Sequence, residues 1–323
     1  MSILPLAHAR EFDLIRGFYT GATEADLLVR PGDDCVVLRN GTALSSDASV
    51  ENVHFRREWL SLEEIGYRAA AAALSDLAAM AAAPIGVLVS LGLPDPDDAA
   101  LLMRGVRRCL DRFHAALLGG DLTASPQSIL MDVTVVGHTT APVTRSGARP
   151  GDGLYVTGAL GGAAAAVRAW LDGREPEPAA REVFAAPRPR IAEARWLAER
   201  VAPGAMIDLS DGLAGDAAHI AAASGVQLEI DLDTVPVHRS VEAEGAVALA
   251  ISGGEDYELC FTARPGTIDP LVEAFEQRFG VVLTRVGTVR SGSGVRALQN
   301  GADAGPLHAH GYRHFEENRG PAS

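Results

Sequence analysis

The sequence contains no lysine: all 28 of its basic residues are arginine. That excludes a Walker A phosphate loop, whose lysine is obligatory, and it excludes Schiff-base chemistry. Cysteine is nearly as scarce. Cys35, Cys109 and Cys260 form no C-x-x-C pair and are odd in number, which argues for buried free thiols in a reducing compartment. Positive charge is the minority sign, with a formal net charge of −14. A nucleic-acid surface built on basic clusters is thereby disfavoured. Long apolar runs are missing too. The Ala-rich stretch 69–83 is broken by Ser75 and Asp76 and does not span a membrane. The opening MSILPLAHAREF lacks the basic region and long apolar core of a signal peptide, so a cytoplasmic protein is expected. The nine histidines form no H-E-x-x-H or H-x-x-E-H pattern, which leaves zinc little support. No G-x-S-x-G nucleophile elbow is present.

What is present suits two α/β domains. The length of 323 residues favours two cores over one, and 47% hydrophobic content can fill them. Residues 9–19 read as a first helix. Strands are expected at 35–38, 42–50, 85–93 and 129–138, with long helices at 61–83 and 95–118, the second capped by Asp95. The Pro/Gly/Thr-rich stretch 139–152 is the linker candidate. A second series follows: a strand over 153–160, a helix over 189–200, and strand–turn–helix in AMIDLSDGLAGDAAHIAAASG (205–225). Strands are then expected at 226–232, 249–254, 257–263 and 282–289, with a helix near 268–279. Alternating strands and amphipathic helices make layered α/β domains. GALGGAAAA (158–166) lacks the G-x-G-x-x-G spacing and reads as a tight helix start rather than a dinucleotide loop.

The aspartates carry the chemical signal. Asp33, Asp34, Asp47, Asp76, Asp121, Asp208 and Asp211 each stand beside Gly or Ser or at an expected strand or helix end. One alone is an ordinary cap or turn residue. Together they suit a hard cation such as Mg²⁺, which takes oxygen ligands and one or two carboxylates per ion, shared with substrate phosphates. Phosphoryl transfer needs such neutralisation. Without lysine it falls to metal and arginine, and Arg145 in VTRSGARPGD is the candidate for a bidentate phosphate contact. In IDLSDGLAGD, Ser210 and Asp211 lie where a helix N-terminus offers N–H groups to a phosphate.

Eight blocks in order, PGDDCVVL, SSDASVENVHF, ALSDLAAMAA, LLGGDLTASP, TRSGARPGDGLYVTG, MIDLSDGLAGDAAHI, SGGEDYELCFT and GYRHF, span residues 31–315. Together they resemble the thiamine-monophosphate kinase family. The resemblance implies the two-domain fold of aminoimidazole ribonucleotide synthetase. Its N-terminal α/β domain (1–143) has a sheet that builds a barrel in a homodimer, and its C-terminal α/β domain (144–323) completes the cleft. It implies transfer of the γ-phosphate of ATP to thiamine monophosphate with several Mg²⁺ ions. Position by position, it implies metal ligation by Asp34, Ser45, Ser46, Asp47, Asp76, Asp121, Asp208 and Asp211. ATP would be contacted by Gly120, Asp121, Arg145 and Ser210, and the thiamine substrate by His54, Glu255 and Tyr312. Asp76, Asp121 and Asp211 are the ones expected to be essential for turnover. Four positions depart from the family's usual residues: Ser46 for Thr, Ala73 for Asn, Leu122 for Thr, and Ala81 for the Gly of AMGA. The alternatives are a sister ATP-dependent enzyme of the superfamily or a non-catalytic sensor of nucleotide or thiamine phosphate. The lack of lysine disfavours selenophosphate synthetase.

Overall fold

A computed structural model describes Leu14, Ile15 and residues 26–241 and 245–307. Most of the helix expected over 9–19, and Tyr312 with the tail, lie outside the described residues. The first sheet holds β1 (Leu27–Val29), β2 (Val36–Leu38), β3 (Thr42–Val50), β4 (Ala83–Leu93), β5 (Ala116–Ala124) and β6 (Leu130–His138). Their order is β1-β2-β3-β6-β4-β5, and only β4 and β5 run parallel. Helices α1 (Leu62–Ala79) and α2 (Asp98–Phe113) cover one face. They pack so closely that a Cβ on Gly66 would stand 1.9 Å from the Leu102 carbonyl oxygen, and one on Gly105 equally near that of Glu63. Helix α1 starts with a capping box: Ser61 Oγ accepts from Glu64 N–H while the Glu64 carboxylate accepts from Ser61 N–H. From Ile65 to Ala79 it is buried nearly all round, as expected of a helix with apolar residues on every side.

The second sheet holds β7 (Gly153–Thr157), β8 (Ala205–Asp208), β9 (Gln227–Asp231), β10 (Leu259–Ala263), β11 (Leu283–Arg290), β12 (Gly294–Gln299) and β13 (Ala302–Pro306). Their order is β13-β12-β9-β11-β7-β10-β8, with β9 and β12 parallel. Around it lie α3 (Gly162–Leu171), α4 (Pro178–Ala185), α5 (Ile191–Arg200), α6 (Leu213–Ser224), α7 (Ala246–Ser252) and α8 (Val272–Phe279). The layered α/β architecture expected from the sequence is therefore present twice. Helix α1 touches both halves, packing on β3 and β6 of the first sheet and on β8 and α5 of the second.

Several expectations are corrected. Helix α1 ends at Ala79, not at Pro84, because the chain turns at Ala81, a non-glycine residue at φ +52°. This is the position where the resembling family usually has glycine, the residue that adopts this conformation without a Cβ clash. Asp95 caps no helix; its carboxylate accepts from Asp97 N–H, and α2 begins at Asp98. That helix stops at His114 (φ +55°), and 116–124 form strand β5, hidden in the sequence by the helix-like run AALL and the Gly-Gly pair. LAISGG is not a strand: 246–252 form α7. Short apolar runs do not distinguish the two by period. The Gly-rich stretch 158–166 does open a helix, and the half-buried Asp256 accepts from Gly161 N–H at that helix start.

Candidate active site at the seam of the two sheets

Asp34 precedes β2, Asp76 sits in the last turns of α1, and Asp208 ends β8. These three elements bring carboxylate oxygens of Asp34, Asp76 and Asp208 within 4.8 Å of one another. The cluster has little neutralising charge. Burial first, then the charge of Asp208 and Asp34, pushes the Asp76 carboxyl well above its usual range. Burial and the charge of Asp34 raise Asp208 to about 7. Ser45 Oγ donates to Asp76 Oδ2 at 2.5 Å. Asp47, two residues along β3 on the same side, adds its charge to Asp76 and Asp208. The Ser75 hydroxyl is wholly buried beside Asp208 and favours that carboxylate, yet its geometry satisfies no hydrogen bond. Hard oxygen donors, excess negative charge and an orphaned hydroxyl fit a divalent cation such as Mg²⁺.

Arg145 is the cation already at the cluster. Its Nη2 donates to Asp34 Oδ1 at 2.5 Å and its Nε to Oδ2 at 3.3 Å. Its own backbone N–H donates to both oxygens of Asp33, at 3.1 and 3.3 Å. The adjacent aspartates thus have separate tasks. Asp33 fixes the Arg145 backbone, and Asp34 faces the guanidinium and the other two carboxylates.

The turn after β8 is joined to the loop 253–258. Ser210 carbonyl accepts from Glu255 N–H and Leu209 carbonyl from Tyr257 N–H, each at 2.8 Å. Gly254 makes this approach possible, since a Cβ there would lie 2.2 Å from the Ser210 oxygen. Asp211 N–H donates to Asp216 Oδ2 at 3.1 Å. So the chain's own carboxylate takes an N–H group of the turn that leads into α6. Asp216 is buried, and burial with the charges of Asp211 and Asp208 holds its carboxyl well above the usual range. Sequence reading missed it; the signal was a second aspartate five residues after Asp211.

Other expected site residues stand apart from the three carboxylates. Ser46 points to the opposite face of β3, where its hydroxyl donates to Asp132 at 2.9 Å and meets Thr134 at 3.0 Å. Strand alternation is the reason: Ser45 and Asp47 face α1, so Ser46 cannot. Within one chain the Ser46 hydroxyl therefore lies away from the three carboxylates. Register places Asp121 in one row with Ser90, Asp132 and Ala48, on the face away from α1. Within one chain Asp121 is likewise separated from the cluster. Gly120 shares the inner row with Val89, Val133 and Asp47. His54 stands beyond the far end of β3, half-buried, its Nδ1 accepting from Val50 N–H at 3.0 Å. That bond leaves the proton of a neutral ring on Nε2. Ser210 is exposed at its turn.

Two family models match the chain, the AIR synthase related protein N-terminal domain over residues 32–139 and its C-terminal domain over 149–298. The thiamine-monophosphate kinase of Methanopyrus kandleri is 36% identical over 284 residues, 86% of this chain and 88% of that one. The chain belongs to the thiamine-monophosphate kinase family. The Escherichia coli K12 member is 35% identical over 324 residues, covering 95% of this chain and 96% of its own. The solved structure of AaThiL complexed with AMPPCP and TMP matches with a TM-score of 0.78 at 28% identity, covering 94% of this chain and 96% of that one. The chain's enzyme class is the family's, a kinase, and its fold is the two-domain AIR synthase type.

Proposed function

We propose that the chain transfers the γ-phosphate of ATP to the phosphate of thiamine monophosphate, releasing ADP and thiamine diphosphate. An acceptor phosphate oxygen attacks γ-phosphorus in line, and the bond from γ-phosphorus to the β–γ bridging oxygen breaks. The observation that carries this reading is the meeting of Asp34, Asp76 and Asp208 at the seam of the two sheets, in a chain whose relatives include a ThiL structure holding an ATP analogue and TMP. Mg²⁺ held by these carboxylates, with Ser45 and Asp47 beside them, would neutralise phosphate oxygens. Asp211 and the Ser210 turn would face the same phosphates, and Arg145 would hold one of them. The acceptor's second pKa is about 6, so it arrives largely as a dianion. It needs no general base, which agrees with the absence of lysine and of a histidine among the three carboxylates. Positioning and charge neutralisation then carry the reaction. Incubation with ATP, Mg²⁺ and thiamine monophosphate should yield thiamine diphosphate. Product from a different acceptor and none from this one overturns the reading.

We place the domain boundary at 143/144, inside the irregular stretch between β6 and β7, and the protein in the cytoplasm; among the described residues no helix is long and apolar enough to cross a membrane. A homodimer through the first sheet is part of the same reading. Strand β5 is an edge strand, exposed along its whole length, with Leu117, Leu118 and Leu122 at 39%, 47% and 56% exposure. Such an edge invites pairing. Closing it against a second copy is also the way open to Asp121 and Gly120 to serve a site that their own chain keeps at a distance. Light scattering should give a dimer, and Leu122→Arg a monomer; a monomeric wild type would refute it.

A further inference from the structure

Arg68 is the one charged side chain within the buried length of α1 between Ile65 and Ser75. It stands eight residues before Asp76, about 12 Å along the helix and rotated about 80° around it. Only 5% of it is exposed. Such a guanidinium is costly to bury unless it is paired. Its partners come from three separate segments. Nη1 donates to the Phe184 carbonyl at 2.6 Å, at the end of α4. Nη2 donates to Glu255 Oε2. The guanidinium carbon lies 3.9 Å from the Phe184 ring centroid and 5.9 Å from that of Tyr257. Asp47 on β3 is near enough for each to favour the other's charged form.

The loop that Arg68 grips is held in an unusual shape. Glu255 (φ +73°) and Tyr257 (φ +51°) are both left-handed without being glycine, a conformation that persists only where surroundings enforce it. Their backbones are fixed from one side by the Ser210 and Leu209 carbonyls. Arg68 fixes the Glu255 side chain from the other. Tyr257 Oη donates to Glu255 Oε2 at 2.8 Å, and burial, ahead of any charge, holds that phenol protonated. Arg68 and Tyr257 therefore converge on the same oxygen, Oε2, and Oε1 accepts from neither.

We propose that Arg68 is the positioning residue for acceptor recognition. It locks Glu255 through Oε2, presents Oε1 to the exocyclic amino group of the acceptor's aminopyrimidine, and cancels the carboxylate's charge so that this contact reads a hydrogen-bond donor rather than the thiazolium cation. This rests on the function proposed above and deepens it. Its consequence is selectivity. A site built to accept a hydrogen bond rejects an analogue that lacks the donor far more strongly than an apolar pocket rejects a change in size.

The test compares thiamine monophosphate with its 4-oxo analogue, in which the amino donor is lost, for wild type, Arg68→Met, Arg68→Lys, Glu255→Gln and the Arg68→Met/Glu255→Gln double variant. Arg68→Met should raise KM for thiamine monophosphate tenfold or more and lower the amino-over-oxo selectivity by a similar factor. KM for ATP and half-saturating Mg²⁺ should stay within twofold. Arg68→Lys should recover part of the loss. The double variant should be no worse than the poorer single one, because residues acting as a unit are not additive. Equal losses for ATP and acceptor, a shift confined to Mg²⁺, unchanged selectivity or additive losses would each overturn the proposal. If Arg68→Met does not fold, Arg68→Lys and Tyr257→Phe, which removes the second donor on Oε2, carry the test. A rise of at least twofold in acceptor KM is expected from both, and its absence overturns the proposal. Wild type that makes no thiamine diphosphate removes the functional reading and this inference with it; active wild type with unaltered variants removes the inference alone.

Discussion

Arg145 and Asp34 form a two-point ion pair in which the carboxylate is almost wholly enclosed, with 1% of its side chain exposed against 15% for the arginine. The pair supplies counter-charge to a cluster that has little other. Removing one partner of a buried pair typically costs about 3–5 kcal/mol, because the survivor is left charged and unpaired. Arg145→Met should therefore lower the melting temperature sharply in EDTA, and millimolar Mg²⁺ should restore much of it by replacing the lost positive charge. Thermal melts with and without Mg²⁺ check this. A loss that Mg²⁺ leaves untouched would show that Arg145 packs the fold without serving the cation site.

Asp33 and Asp34 make a second test as neighbours. The Asp33 carboxylate accepts from a backbone N–H, a task the amide oxygen of asparagine can share. Asp34 forms an ion pair with a guanidinium and brings negative charge to a cluster with two further carboxylates, and neutral asparagine can do neither. Asp33→Asn should keep kcat/KM within about fivefold. Asp34→Asn should lower it at least a hundredfold, equivalent to about 2.7 kcal/mol of transition-state stabilisation. Steady-state kinetics at saturating Mg²⁺ decide, and similar losses for both would mean that the pair acts as one unit.

The pH dependence of the metal-free protein follows from the same cluster. Asp208 is raised from 3.8 to about 7 by burial and then by Asp34, and Asp33 to about 7 by burial and then by Asp34. A carboxyl with a raised folded pKa keeps its proton in the native state where the unfolded chain has lost it. The native state thus binds more protons between about pH 4 and 7, and stability falls as pH rises through that window, levelling above it. In EDTA the melting temperature should drop between pH 5 and 7.5. Saturating Mg²⁺, which favours the ionised carboxylates, should flatten or reverse the slope. A rising curve in EDTA would contradict the shared burial of these groups.

Three carboxylates that meet in the fold were already conspicuous in the sequence. Asp76 interrupts an apolar helix beside Ser75, Asp34 stands just before one short apolar strand and Asp208 ends another, and only the meeting of these distant segments makes sense of all three. Strand β3 was legible to the residue, bounded by a turn signal and rich in strand formers. The misses have local causes. Strand β5 carries Gly119 and Gly120 in its interior, and glycine weakens the strand signal. Helix α7 is only seven residues long, too short to show its period. Asp216 and Arg68 were passed over because each lies inside a helix, where a charged residue reads as a solvated face. Both are buried, and only tertiary contact reveals it.

Ser45 and Ser46 give the sharpest separation between what a motif suggests and what alternation allows. Both belong to the SSD triplet, and both keep an oxygen that could ligate. Ser45 donates to Asp76 at 2.5 Å, whereas Ser46 bonds Asp132 and Thr134 on the opposite side of the sheet. Ser45→Ala removes a donor that favours ionised Asp76, so the carboxyl should hold its proton more tightly. The Mg²⁺ concentration for half-maximal activity should rise about tenfold, with less change in KM for thiamine monophosphate. Ser46→Ala leaves the three carboxylates untouched and should alter Mg²⁺ dependence less than twofold. It loses two contacts between β3 and β6, each worth about 1 kcal/mol, and should show itself in a lower melting temperature or weaker self-association. Titrating Mg²⁺ against activity in the two variants separates these outcomes. A Mg²⁺ effect at Ser46 equal to that at Ser45 would mean that the open face of the sheet meets a cation, which a single chain gives no means to explain and a second copy closing over β5 would.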